Sequence, residues 1–224
     1  SGWYLYSFFQ AAGLEVYRSN GSRNFCNWNA TDTRFKGIDV AKSIIRIASN
    51  PAFVCSGDKE TLEMMKNGEV IAAVSGTWNV NLISEMWGCD YAAVKLPSFN
   101  VNGTDLQMYS FAGYKMVGVK STASNKEWAL KVAEWLSDEK SQLMICKAKG
   151  ECPVNLNAAS NPLVKKSPAI AAMAEQTKYS STQRIGVSFW NPSLLLGVVL
   201  SDGKNLSDKE IQSQLDITVR DIRN

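Results

Sequence analysis

The sequence of 224 residues contains no histidine. Histidine is the commonest metal ligand and a frequent general base in proteins, and it activates many serine and cysteine nucleophiles. The sequence also lacks a Cys-x-x-Cys pair, a glycine-rich phosphate loop and a nucleophile elbow. These absences argue against catalysis, so we expect no enzyme activity, no metal site and no cofactor.

An excess of charge of one sign is also missing. The 24 lysines and arginines nearly balance the 21 aspartates and glutamates, which leaves a net charge of +3 with no basic block. Nucleic-acid binding therefore has little electrostatic support. Apolar runs such as residues 194–200 are far too short to cross a bilayer. The chain opens on an aromatic segment without a signal peptide, which predicts that it was cut from a longer protein.

The five cysteines allow more than one arrangement. Their spacing is compatible with a disulfide between Cys146 and Cys152 outside the cell, and with a second one between Cys26 and Cys55. Buried free thiols are the alternative. Because the number is odd, at least one cysteine, Cys89 or another, has no partner within the chain.

Strands and helices are predicted to alternate along the chain, which indicates an α/β architecture. We predict strands over residues 14–18, 70–74, 91–96 and 109–118. The 70–74 and 91–96 runs are almost wholly apolar, as in strands that are covered on both faces. Helices are predicted from residues 32, 58, 79, 124, 138, 169, 194 and 207. Two of them start with Ser-x-x-Glu capping boxes, at Ser124 and Ser207.

Carboxylates and paired tryptophans have structural interpretations. Asp58 and Glu60 lie at a predicted helix start, where capping is the expected role. Trp128 and Trp135 are seven residues apart on one helix face and are predicted to pack inside the protein.

The turn after the 70–74 strand is the first candidate site. Ligands bind outside the carboxyl ends of strands in open α/β sheets, and Trp78 is predicted to stand there. An indole face suits the C–H patches of a sugar ring, while Thr77 and Asn79 could bind its hydroxyls. The alternative is that Trp78 anchors the core. Trp190, at a loop-to-helix junction, and the aromatic pair Trp3 and Tyr4 are the other candidates.

The order of several segments resembles that of a known family. Residues 67–78, NGEVIAAVSGTW, resemble the K-G-x-x-A-M-x-x-x-G-x-W signature of maltose/maltodextrin-type solute-binding proteins. The later segments follow in the family's order: the strand that ends at Leu96-Pro97, the crossing segment at 111–114, the SNKEWA helix at 124–129, and the pair Phe189-Trp190. The resemblance runs over essentially the whole chain.

This resemblance implies a periplasmic-binding-protein-like (type II) α/β lobe, with a mixed sheet flanked by helices, plus part of a second lobe. Residues 1–110 and 180–224 would form the carboxy-terminal lobe, and residues 111–179 a crossing segment and a partial amino-terminal lobe. Family members hold a sugar between their lobes, with aromatic residues at the positions of Trp78, Trp190 and Tyr4. Gly2 stands where the maltose proteins carry an acidic residue, and Asn191 where an aromatic often follows. These departures argue against maltose itself.

The predicted function is capture of an oligosaccharide and its delivery to the membrane permease subunits of an ABC importer. The predicted ligand-binding residues are Trp78, Trp190, Tyr4, Trp3, Asn79, Thr77 and Asn191. The alternatives are a solute-binding protein for a non-sugar ligand, a glycan-active enzyme and an interaction module. Two carboxylates across a cleft would be needed for the enzyme, and the sequence shows no obvious pair. We expect an extracellular location, as a lipoprotein or in the periplasm, and consider a homodimer of the fragment.

Overall fold

A computed structural model describes residues 2–18 and 23–224. The chain divides into two compact units. Unit 1 comprises Ser1–Cys55, Leu96–Gly113 and Gln176–Asn224, and unit 2 comprises Ser56–Lys95 and Tyr114–Glu175. The division differs from the ranges expected for the two lobes in one segment, because residues 56–95 cluster with residues 114–175. The assignment of either unit to a lobe therefore stays a prediction.

Four long helices and three short ladders build unit 1. The helices are α1 (Gly2–Ala11), α2 (Gly37–Ala48), α10 (Trp190–Ser201) and α11 (Asp208–Arg223). The strands are β1 (Val16–Arg18), β2 (Asn24–Cys26), β3 (Ser98–Val101), β4 (Thr104–Gln107), β5 (Ser110–Ala112) and β6 (Ser180–Thr182). The β1–β2 and β3–β4 pairs are antiparallel, whereas β5 and β6 pair in parallel with Phe111 opposite Ser181.

The helices of unit 1 form because their apolar residues recur at helical spacing. On α11, Ile211, Leu215, Val219 and Ile222 are all buried. The predicted capping box at its start is present: the Ser207 amide donates to the Glu210 carboxylate over 2.8 Å. With α1, α2 and α10, this helix encloses the buried apolar cluster of the unit. The helices over 37–48 and 208–223 thus agree with the periodicity, although the first starts five residues later than predicted.

Gln176 ties together the segments of unit 1 that are far apart in sequence. Its carboxamide oxygen accepts the Leu96 amide over 2.9 Å, and its nitrogen donates to the carbonyls of Met108 and Tyr179. The side chain is buried, and all of its main hydrogen-bonding groups are satisfied. It therefore fixes the chain where residues 96–113 meet the segment that leads into β6.

Unit 2 is helical in its regular structure. Its helices are α3 (Asp58–Lys66), α4 (Val80–Trp87), α5 (Lys126–Ser137), α6 (Glu139–Lys149), α7 (Leu156–Ala159), α8 (Pro162–Lys165) and α9 (Pro168–Gln176). The capping box predicted at Ser124 is wrong by one residue, because Asn125 is the N-cap and accepts the Trp128 amide. Asparagine caps at least as well as serine, so the helix starts where the carboxamide reaches its first turn.

The two apolar runs predicted as buried strands do not form strands. Residues 70–74 and 91–96 are irregular, and Ile71 and Val94 are 94% and 82% exposed. The strand predicted over 109–118 is limited to β5, and Met116 beyond it is also exposed. A strand needs a neighbour for its backbone hydrogen bonds, and no strand of the described residues pairs with these runs. Apolar composition alone cannot supply that neighbour.

The tryptophans of α5 are not buried as predicted, and the cysteines follow the free-thiol alternative. Trp128 and Trp135 share a face of α5, as predicted, but both are exposed, since none of the described elements covers that face. All five cysteines are free thiols, so neither of the two disulfides considered is formed in this structure. Within residues 2–18 and 23–224, no helix has the length and apolarity required to cross a membrane.

Candidate functional site

Unit 1 carries an aromatic cluster at the junction of α1 and α10. The rings of Trp3 and Trp190 are nearly parallel, at 8°, with centroids 6.1 Å apart. Phe111 meets both indoles edge-on, at 5.2 and 6.4 Å. Trp3 and Trp190 are partly exposed, whereas Phe111 is buried beneath them. The structure thus brings together two of the predicted site residues on one partly open surface. Tyr4, the next residue of α1 after Trp3, is also partly exposed, and its part in a site stays a prediction.

This surface is supported by aromatic rings that continue into the core. Trp190 packs against Phe189, whose ring is fully buried and meets Trp28 edge-on at 5.6 Å. Trp28 in turn stacks on Phe9 at 4.3 Å and 9°. Edge-to-face and stacked pairs of this kind stabilise by about 0.5–1.5 kcal/mol each beyond area burial. The position of Trp190 therefore depends on residues deep inside the unit.

Gly2 has a steric reason to be glycine. A Cβ at this position would lie 1.9 Å from the Ser193 hydroxyl oxygen. Ser193 is itself buried, and its hydroxyl donates to the carbonyls of Phe189 and Trp190. An acidic side chain therefore does not fit at position 2 without displacing the start of α10. Asn191, one residue along α10 from Trp190, is exposed.

Unit 2 carries the second aromatic surface, on the turn that follows residues 70–74. Thr77–Asn79 form one turn of 3-10 helix ahead of α4, and Trp78 is 50% exposed. Its indole nitrogen donates to the Asp58 carboxylate over 2.9 Å. The alternative that Trp78 anchors the core is not what the structure shows, because half of the residue is accessible.

The residues on either side of Trp78 hold the turn in place. Asn79 is buried and its amide donates to the Ser75 hydroxyl over 2.9 Å. Asn81 donates to the carbonyl of Ala148, in the last turn of α6. The amide nitrogen of Asn79 is thus already engaged, and its predicted contact with a ligand stays a prediction. Thr77 is half-buried.

Gly150 lets the end of α6 approach this turn. The residue adopts a left-handed conformation with φ +68°, and its amide donates to the Cys146 carbonyl over 2.8 Å, which closes the helix. A Cβ here would lie 3.2 Å from the Thr77 carbonyl oxygen. The 3-10 turn under Trp78 is therefore buttressed by a helix end as well as by its own side chains.

Sequence reasoning missed a polar cleft on unit 1. It has a volume of about 380 Å³ and lies beside α1, β1 and β6, and its lining includes Tyr6, Glu15, Arg18 and Arg184. Burial raises the pKa of the Tyr6 phenol above its ordinary value. None of the residues predicted to bind a ligand lines this cleft. The described residues contain no cluster of three or more potential metal ligands.

Comparison with known proteins decides the family. The sequence model of the bacterial extracellular solute-binding proteins matches residues 4–172. The chain belongs to this family. A galactooligosaccharide-binding protein of Bacillus subtilis (strain 168) is 33% identical over 117 residues, which are 52% of this chain and 27% of that protein.

The solved structures agree with this solute-binding family and show its fold. A structure with acarbose matches 99% of the chain at a TM-score of 0.83 and 26% identity. The maltodextrin binding protein from L. casei BL23 without ligand matches 100% of it at 0.80 and 22% identity. The chain covers 59% and 60% of these two proteins, so it spans well under two thirds of their length. The fold is that of the type II periplasmic binding proteins, as predicted.

Proposed function

We propose that this chain is part of the oligosaccharide-binding component of an ABC importer. The observation that carries the proposal is Trp78, whose indole is half exposed and held in a fixed position. A fixed aromatic face matches the C–H face of a pyranose ring, and it binds without first having to be ordered. The galactooligosaccharide-binding relative and the structure with acarbose support a carbohydrate as the ligand class.

The two aromatic surfaces are built alike, each from an aromatic ring with polar residues next to it. On unit 1, Trp190 and Trp3 are backed by Phe111, and the exposed Asn191 follows Trp190 along α10. On unit 2, Trp78 is flanked by Thr77. Each surface thus pairs an aromatic face with polar groups at its edge, which is the combination that a sugar ring requires. We propose that each stacks against sugar rings.

The absence of a side chain at Gly2 narrows the range of sugars that we expect to bind. In the maltose proteins that this chain resembles, an acidic residue is expected at this position, whereas here Ser193 occupies the space that a side chain would need. The aromatic surface of unit 1 therefore has no carboxylate at position 2 to accept hydroxyl hydrogen bonds. We propose that the ligand is an oligosaccharide other than maltose.

Titration calorimetry with a panel of ligands tests the proposal. The panel contains maltose, maltotriose, acarbose and a galacto-oligosaccharide mixture, with amino acids and a dipeptide as non-sugar ligands. The 224-residue chain and the complete gene product are titrated in parallel, since the 224-residue chain covers only 59% and 60% of the length of the two solved relatives. We expect one carbohydrate to bind to the complete gene product and a Trp78→Ala variant to lose at least about tenfold in affinity, as at a binding hot spot.

Trp128→Ala is the matched control. Trp128 is also an exposed tryptophan of unit 2, and the ammonium of Lys131 lies 4.7 Å from its ring centroid. We expect this variant to bind like the unchanged protein. Binding of a dipeptide or an amino acid in place of every sugar would replace the proposal by the non-sugar alternative, and equal losses in both variants would remove Trp78 from the site.

The family supports a proposal for the partners and the location of this chain. Extracellular solute-binding proteins work outside the cytoplasmic membrane with ABC permeases, and we propose the same for this chain. Anchoring as a lipoprotein is part of the proposal and is tested by mass spectrometry of the amino-terminal peptide of the cellular protein. No observation on the described residues supports a homodimer, which stays a prediction for light scattering.

A further inference from the structure

We propose that Asp58 and Gly76 are positioning residues that present one face of the Trp78 indole to the ligand. The proposal rests on the proposed function, since it concerns the same binding surface. It adds a polar contact and a steric support that lie outside the residues predicted to touch a ligand. Asp58 contacts the N–H edge of the Trp78 ring, and Gly76 lies against one of its faces.

Gly76 supports the inner face of the ring. A Cβ on Gly76 would lie 2.1–2.4 Å from three carbons of the six-membered ring of Trp78. Non-bonded carbon atoms do not approach each other to such distances. The ring can therefore lie in its present place only because residue 76 has no side chain. The ring is thus seated against the backbone of its own turn, while half of the residue stays exposed, and the ligand stacks on the face opposite Gly76.

Asp58 fixes the edge of the same ring. The Trp78 indole N–H donates to the Asp58 carboxylate over 2.9 Å, across 20 residues of sequence. A ring that is held at one face and at its N–H edge has little freedom to rotate about its side-chain bonds. The hydrogen bond has a charged acceptor, which makes it stronger than a neutral pair, although its exposure to water weakens it.

The start of α3 leaves the Asp58 carboxylate available for this role. Gly57 is the N-cap of that helix, and the Glu60 carboxylate accepts its amide over 2.8 Å. Thr61 donates its hydroxyl to the Gly57 carbonyl, so the first turn is closed without Asp58. The helix dipole favours a carboxylate at this end, which also suits Asp58 to accept from Trp78.

This arrangement specifies how the ligand is recognised. Because the indole N–H is engaged by Asp58, Trp78 offers a flat apolar face and no hydrogen-bond donor. The ligand class that fits is a ring with C–H groups on one side, as in a pyranose, and hydroxyl recognition has to come from neighbouring groups. A ligand that required a donor from this indole would compete with Asp58.

Fluorine NMR tests the positioning without any ligand. The seven tryptophans are replaced by 5-fluorotryptophan, and a Trp78→Phe variant assigns the resonance of residue 78. In Asp58→Ala and in Gly76→Ala we expect this resonance to move toward the free amino acid, because the ring is released in each. Asp58→Asn keeps an acceptor oxygen of the same shape and is expected to restore the original position. Glu63→Ala, which removes another exposed carboxylate from α3, is the control and is expected to change nothing.

Calorimetry with maltotriose, acarbose and the galacto-oligosaccharide mixture forms the second arm. For whichever of these binds, Asp58→Ala is expected to weaken affinity about 2- to 10-fold, since a freed side chain must be ordered again on binding. Asp58→Asn is expected to retain most of the affinity, and Glu63→Ala all of it.

The two arms separate the two proposals. An unmoved fluorine resonance in Asp58→Ala overturns the positioning role whatever the sugars do. Unchanged sugar affinity in Asp58→Ala overturns it as well. If no sugar binds the unchanged protein, the proposed function fails, while the fluorine resonance still decides whether Asp58 and Gly76 hold the ring.

Discussion

Gly37 is the position where a single methyl group should do the most damage to the aromatic support of unit 1. A Cβ at this residue would lie 1.9 Å from the backbone oxygen of Trp28 and 3.2 Å from the Cα of Asn29. Both neighbours are backbone atoms, so neither can rotate out of the way. The Gly37 amide also donates to the Ala30 carbonyl over 2.9 Å, which fixes the loop against the start of α2.

The expected loss of stability can be worked out from these contacts. Forcing an extra methyl group into a packed site costs about 1–3 kcal/mol, and an obstacle of rigid backbone places Gly37→Ala at the upper end. Alanine in place of glycine near a helix start returns up to about 1 kcal/mol through chain entropy and helix propensity. The net expectation is a loss of about 2 kcal/mol in the free energy of unfolding.

Urea unfolding followed by near-ultraviolet circular dichroism measures this loss. With a slope of roughly 2 kcal/mol per M urea, the midpoint falls by about 1 M. Gly118→Ala is the matched control, because a Cβ there meets nothing within 4 Å and the residue has no positive φ, so its midpoint should stay or rise slightly. A Gly37→Ala midpoint equal to that of the control would refute the reasoning, since it would mean that Trp28 can shift without cost.

Four further predictions concern other parts of the chain. Cys26 is fully buried, and burial raises its pKa to about 12. Iodoacetamide at pH 8 should therefore alkylate the exposed Cys89 in the native protein and Cys26 only after unfolding, as measured by peptide mass spectrometry. Ser207→Ala should lower the free energy of unfolding by about 1 kcal/mol. Hydrogen bonds from Ser207 hold the pKa of Glu210 below its usual range. This carboxylate therefore stabilises the fold above its unfolded pKa, and the stabilisation is lost as the pH falls through the folded pKa. Acid unfolding of Glu210→Gln beside the unchanged protein measures the difference. The amide of Ile71 should exchange with deuterium at close to the unprotected rate, because its segment is exposed and irregular.

The helices α2 and α11 of unit 1 could be predicted from the sequence because their information is local. The buried positions of α11 are spaced at three and four residues, and its capping box lies within four residues of sequence. The same holds for α2, where Val40, Ala41 and Ile44 face the core. Periodicity and capping are properties of a segment by itself, so they survive whatever the rest of the chain does.

The strands could be predicted only in part, because a strand depends on its neighbour. The 14–18 run contains β1 and the 109–118 run contains β5, whereas the 70–74 and 91–96 runs form no strand. Residues 70–74 have the composition of a buried strand and nevertheless remain unpaired among the described residues. The strands that do form are short, and the parallel β5–β6 pair joins segments some 70 residues apart. Nothing in the composition of either strand indicates that pairing. Long-range register is set by tertiary contacts, which a local pattern does not contain.

The candidate site shows the same limit at single residues. Trp78 and Trp190 could be selected because tryptophan at a turn or a helix start is conspicuous, and the family order pointed to both. Asp58 could not, because its local pattern satisfies a capping role completely, and Glu60 turns out to take that role. When two carboxylates lie at a helix start, only the structure shows which of them caps the helix. The remaining one is then free to act over a long distance in sequence, and here it reaches Trp78.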